Sequence, residues 1–95
     1  MATRNLNTLW YEYLVSLGYS GSTNDMIRAA LQSETSSTLR DINDLWKLYF
    51  TQQGVDGSHI DTMAYDWLGD KGYEGSLNDR WVQALTDGDV FEVVP

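Results

Sequence analysis

Apolar residues recur along this chain every three to four positions, in runs separated by polar, glycine-containing stretches. Leu6, Leu9, Trp10, Tyr13, Leu14 and Leu17 fall on one helical face, as do Ile42, Leu45, Trp46, Tyr49 and Phe50. Ile60, Met63, Ala64, Trp67 and Leu68 repeat that spacing. Two weaker stripes follow Met26, Ile27, Ala30 and Leu31, and Leu77, Trp81, Val82 and Leu85. This is the period of amphipathic helices with one face toward a core. It predicts five helices of about 10–15 residues, joined by loops of about four. Helices so short are unstable alone and must pack together, so the expected fold is a small all-α bundle.

The interruptions are themselves repetitive. Gly18-Tyr-Ser-Gly-Ser-Thr-Asn-Asp25, Gly54-Val-Asp-Gly-Ser-His-Ile-Asp61 and Gly72-Tyr-Glu-Gly-Ser-Leu-Asn-Asp79 align at spacings of 36 and 18 residues. A degenerate copy at Thr38-Leu-Arg-Asp41 fills the wider gap, which gives a helix–loop repeat of about eighteen residues. Ser22, Thr38, Ser58 and Ser76 are each followed three residues later by Asp25, Asp41, Asp61 and Asp79. That is the spacing of a capping box, in which the hydroxyl accepts the third amide and the carboxylate reaches back. The acid also suits the positive end of the helix dipole. Gly18, Gly54 and Gly72 fit the left-handed residue that ends a helix. The apolar residue after each (Tyr19, Val55, Tyr73) pairs with Leu14, Phe50 or Leu68, as a Schellman ending requires.

Two stretches depart from the repeat. Residues 32–37 contain no glycine stop, so a longer, less defined second loop is expected there. Residues 87–95 are not helical in pattern: Phe91 and Val93 alternate with Glu92 and Val94, which suits an extended tail. The organisation expected is a helical repeat bundle over 1–86 and an extended tail over 87–95.

Composition narrows the function classes. The chain has 95 residues, a net charge of −8, one proline at its end and no cysteine. Disulfides and thiolate metal sites are thereby excluded. The acidic balance repels phosphate backbones and anionic bilayers, so neither nucleic acid nor membrane is an expected partner. No apolar run follows Met1-Ala2-Thr3-Arg4-Asn5, and none is long enough to span a bilayer, so a soluble protein made in a cytoplasm is expected.

Candidate chemistry is sparse. His59 has no second histidine or cysteine with which to hold a metal, and reads as an exposed first-turn residue. The carboxylates are numerous, but Asp25, Asp41, Asp61 and Asp79 stand at helix starts, and Glu12, Asp66 and Asp70 lie off the apolar stripes. Ser20, Ser22, Ser58 and Ser76 lie in loops with no base placed near them, and read as caps rather than nucleophiles. The acidic glycine loops lack the ligand spacing of an EF-hand, and no phosphate loop is present. No catalytic, cofactor-binding or metal residue is therefore assigned, and no cofactor is expected. Interface candidates remain. Tyr11 and Tyr65 occupy equivalent repeat positions beside the stripe, where they either anchor a partner or flank a wide core, and Lys47 stands at the same place in the third unit. Val90, Phe91, Val93 and Val94 either add to a partner's sheet edge or fold back over the bundle's open end.

Leu17-Gly-Tyr-Ser-Gly-Ser-Thr-Asn-Asp25 and Lys71-Gly-Tyr-Glu-Gly-Ser-Leu-Asn-Asp79 resemble an "LGYTGSLND"-type repeat of short tailed-bacteriophage proteins, found also at the ends of some phage structural proteins. The resemblance runs from Leu6 to about Leu85, with departures at Ser36-Ser-Thr38 and Val55-Asp56. It implies a non-enzymatic virion component, such as a capsid decoration or cement protein, a neck protein or a tail accessory. Such a protein would be made in the host cytoplasm, would bind other virion proteins and could form a homo-oligomer. The other reading is an acidic phage-encoded inhibitor or assembly factor for a basic protein. A third, an acidic hydrolase, ranks last.

Overall fold

Each apolar stripe folds as a helix. The computed structural model describes residues 5–91, and among these are α1 Leu6–Ser16, α2 Thr23–Thr35, α3 Ile42–Gln52, α4 Ile60–Asp70 and α5 Leu77–Asp87. The protein is a small all-α bundle. The connecting stretches are six or seven residues long, not four, because each carries both a helix stop and the next helix start. Backbones approach one another only between consecutive helices and between α5 and α1. The five helices therefore form a closed ring, and what crosses it is side chains.

All five helices end through the same pair of bonds. Tyr19 N–H donates to the Leu14 carbonyl at 3.1 Å and Gly18 N–H to that of Val15 at 3.0 Å. Val55 and Gly54 do the same to Phe50 and Thr51, and Tyr73 and Gly72 to Leu68 and Gly69. At Gly18 and Gly72, φ is +99° and +101°, and an added Cβ would meet nothing within 4 Å. Glycine is needed there for its backbone, not for space. Two stops carry no such sequence signal. In α2 the left-handed residue is Ser36 (φ 55°), with Ser37 N–H on the Gln32 carbonyl at 3.1 Å. In α5 it is Gly88 (φ 69°), with Asp89 N–H on the Ala84 carbonyl at 2.9 Å. The second loop, expected to be longer and to lack a defined stop from residue 32 on, has one: α2 continues to Thr35, and the connection is no longer than the others.

The helix starts are less uniform than the repeat implies. The Ser22 hydroxyl accepts Asp25 N–H at 3.1 Å. Ser76 and Asp79 make the reciprocal box, with Ser76 Oγ accepting Asp79 N–H at 3.1 Å and Asp79 Oδ2 accepting Ser76 N–H at 3.3 Å. The assignments of Thr38 and Ser58 need correction. Asp41 itself caps α3, accepting Asp44 N–H at 3.0 Å, and α4 starts at His59 with no side-chain cap. The reason lies in the core: Ile42 and Ile60, like Leu6 and Leu77, are half-buried as the first helical residue. Burial fixes the register, so the cap position falls at residues 41 and 59, out of reach for Thr38 and Ser58. Asn5, not foreseen as a cap, starts α1 by accepting Asn7 N–H at 2.7 Å.

The ninth residue of every helix points into the core: Leu14, Leu31, Phe50, Leu68 and Leu85 are all at most 6% exposed. The centre of the ring is aromatic. Ring centroids lie 5.8 Å apart for Trp10–Trp46, 5.1 Å for Trp10–Trp81 and 5.5 Å for Trp46–Trp81. Side chains this large hold non-adjacent helices apart while filling the space between them, in the offset and edge geometries aromatic pairs favour.

Candidate interaction surface

One end of the ring is closed by the chain itself. Past Gly88, Val90 and Phe91 turn inward and are 5% exposed. The Phe91 ring sits 5.6–6.2 Å from those of Trp10, Tyr13, Trp46 and Tyr49. Burying this non-helical backbone requires partners for its polar groups. The Tyr13 hydroxyl supplies two, donating to the Phe91 carbonyl at 3.0 Å and accepting Phe91 N–H at 2.7 Å. The Tyr49 hydroxyl donates to the Val90 carbonyl at 2.7 Å. Val90 and Phe91 therefore do not present a free strand: they fold back onto the bundle. Val93 and Val94 lie outside the described residues. Burial pushes the Tyr13 hydroxyl above its ordinary pKa, more than the backbone bonds from Phe91 and Val90 lower it.

A polar cluster flanks this plug. The Tyr73 hydroxyl donates to Asp87 at 3.0 Å and to Asp89 at 3.2 Å. Lys71 pairs with Asp89 at 3.3 Å and lies over the Trp67 ring at 4.7 Å. Burial first, then the bond to Asp87 and the two nearby carboxylates, hold the Tyr73 hydroxyl protonated well above the usual phenol range. These groups fasten the turn after α5 to the α4–α5 connection.

Among the described residues the other end is open. Leu6, Trp10, Ile27, Trp46, Ile60 and Trp81 line an apolar cup of about 160 Å³, with Asp61 beside them. Most of these residues belong to the N-terminal halves of their helices. Trp81 is only partly buried, whereas Trp10, Trp46 and Trp67 are in the core.

The outer face carries Tyr11 (49% exposed), Val15 (46%), Leu39 (44%) and Tyr65 (42%). Tyr11 and Val15 are one turn apart on α1. Tyr65 is engaged within the molecule: the Arg80 guanidinium lies 3.6 Å over its ring and also donates to the carbonyls of Tyr65 and Gly75, both at 3.0 Å. Arg80 passes where a side chain at Gly69 would collide with it. Thr35, a buried polar residue of α2, is satisfied by the Leu31 carbonyl at 2.7 Å, and its own carbonyl accepts Gln52 of α3 at 3.2 Å. Neither Arg80 nor Thr35 was foreseen as a tie between helices.

His59 is exposed at the start of α4. Among the described residues no group of three or more His, Cys, Asp or Glu side chains could hold a metal ion, and no helix is long and apolar enough to cross a membrane. The repeat's serines, aspartates and glycines are taken up largely in helix ends. Compared with family models, curated proteins and solved structures, the chain matches none.

Proposed function

We propose that this chain is a non-enzymatic structural component of a tailed-phage virion, a capsid decoration, neck or tail accessory that binds larger virion proteins. The observation that carries the reading is the "LGYTGSLND"-type repeat at Leu17–Asp25 and Lys71–Asp79. The geometry supports it in one respect. The repeat residues close the C-terminal ends of α1, α3 and α4 and cap the starts of α2 and α5, and contact area is left on the outside at Tyr11 and Val15. A preorganised scaffold loses little freedom on docking. Tyr65, half covered by Arg80, and Leu39 add smaller apolar areas.

The second reading, an acidic inhibitor or assembly factor acting on a basic protein, is favoured by the net charge of −8. Mass spectrometry of gradient-purified phage particles separates the two. Hundreds of copies per particle identify a capsid role, and about a dozen or fewer a neck or tail role. Absence from the particle refutes the virion reading and leaves the basic-partner one.

A further inference from the structure

We infer that the open cup of the ring is a docking site for one aromatic or branched aliphatic side chain carried on a lysine- or arginine-bearing segment of a partner protein. The inference adds a partner chemistry to the virion reading and stands equally under the basic-partner one. The two ends of the ring differ in one respect: Phe91 fills one, and no residue of the described chain fills the other. The plugged end shows what such an opening accepts, namely an extended segment that inserts one ring against Trp10 and Trp46. The open end is lined by the same two tryptophans, together with Trp81.

Size sets the anchor. The cup measures about 160 Å³, and a cavity of about 150 Å³ lined by Leu, Ile and Phe takes up benzene. That volume suits a single phenyl or isobutyl group. A pocket that desolvates a single large anchor is the usual centre of a protein–protein hot spot.

Charge sets the flanks. Asp61 lines the cup. Asp44 and Asp79 stand in the first turns of α3 and α5, the helices whose N-terminal halves supply Trp46 and Trp81. Among the described residues no lysine or arginine lines the cup. Lys71 is at the opposite end, Arg80 is folded over Tyr65, Arg28 and Asp25 pair with each other at 3.1 Å, and the exposed Arg40 and Lys47 stand outside the lining. A second copy would oppose one acidic rim with another, and a phosphate backbone would be repelled; a cationic peptide is attracted and oriented.

The test uses the full chain and the capped peptide Lys-Lys-Gly-Phe-Gly-Lys-Lys. Tryptophan emission reports directly, since three of the four tryptophans line the cup. Saturable binding is expected, at least tenfold weaker when Ala replaces Phe, at least tenfold weaker when Glu replaces the lysines, and weakened severalfold between about 20 and 200 mM salt. Ile60→Lys, at the half-exposed rim, should abolish binding with unchanged far-UV circular dichroism; Tyr11→Ser, on the outer face, should not affect it. Equal binding of the Ala peptide, no saturation, or full binding by Ile60→Lys each overturns the inference. So does a monomer–dimer equilibrium in sedimentation that Ile60→Lys removes, which would assign the cup to a second copy. Particle content does not enter this test, so the virion reading and the cup fail separately.

Discussion

Tyr13→Phe tests the account of the plugged end, because it removes one oxygen and leaves the ring in place. That oxygen is the partner of both the Phe91 carbonyl and the Phe91 N–H, at 3.0 and 2.7 Å. Phe91 is 5% exposed, so water does not replace the lost bonds without the tail moving out. Each buried backbone group left without a partner costs about 1–3 kcal/mol. The carbonyl keeps a second lone pair and the tail can relax, so a net loss of about 2–4 kcal/mol is expected. A domain of this size is stable by about 5–10 kcal/mol, so the loss is a large fraction of the total. Tyr49→Phe orphans the Val90 carbonyl and should cost about 1–2 kcal/mol. The double variant should lose less than the sum, because a tail already released by one change has no bond left for the other to break. Urea unfolding followed by tryptophan fluorescence measures all three, and amide exchange at Phe91 reports the tail directly. A loss below about 0.5 kcal/mol for Tyr13→Phe, with Phe91 still protected, would refute the reasoning.

Further outcomes follow from the helix ends and the tyrosines. Gly72→Ala should cost about 1–2 kcal/mol from φ alone, whereas Ser36→Gly should be neutral or stabilising by up to about 1 kcal/mol, both read by thermal unfolding. Asp41→Ala should cost about 1 kcal/mol and Thr38→Ala under about 0.5 kcal/mol, the reverse of what the hydroxyl spacing alone implies. His59→Ser should gain about 0.5–1 kcal/mol in the same unfolding assay, by supplying α4 with a cap. The raised Tyr13 and Tyr73 pKa values set the alkaline limit: the folded state keeps protons that the unfolded chain releases above about pH 10. Stability should therefore be fully present below that pH and fall as pH rises through it. Urea midpoints measured from pH 9 to 11.5 should decline more steeply for the parent than for Tyr73→Phe.

Much of this was legible in the sequence where local chemistry and burial agree. The five stripes fold as the five helices, and at Gly18, Gly54 and Gly72 the stop is written twice, in the glycine and in the apolar residue after it. Ser36 was not legible, because serine adopts a left-handed conformation only when its surroundings impose it. The Thr38 and Ser58 frames misled because spacing alone does not say which residue the core will take as the first of the helix. Asp41 followed by Asp44 has the same three-residue interval as Ser22 and Asp25, and could have been weighed against Thr38. The closure of α5 on α1, the tyrosine bonds to Val90 and Phe91 across 41 and 78 residues, and the open cup are tertiary facts that no local pattern encodes. Of the interface candidates, Tyr11 and Tyr65 are on the outer face, whereas Val90 and Phe91 are in the core.

Because α1 and α5 touch, this repeat array has no terminal unit. In a linear stack of helical repeats, the end unit has a single neighbour and frays at the cost of one interface. Here each of the five helices has two neighbours, so opening any one breaks two interfaces and exposes part of a shared aromatic centre. Closure thus turns a one-dimensional array, which would melt from its ends, into a unit that unfolds all at once, and it lets five elements individually too short to persist do without separate capping repeats.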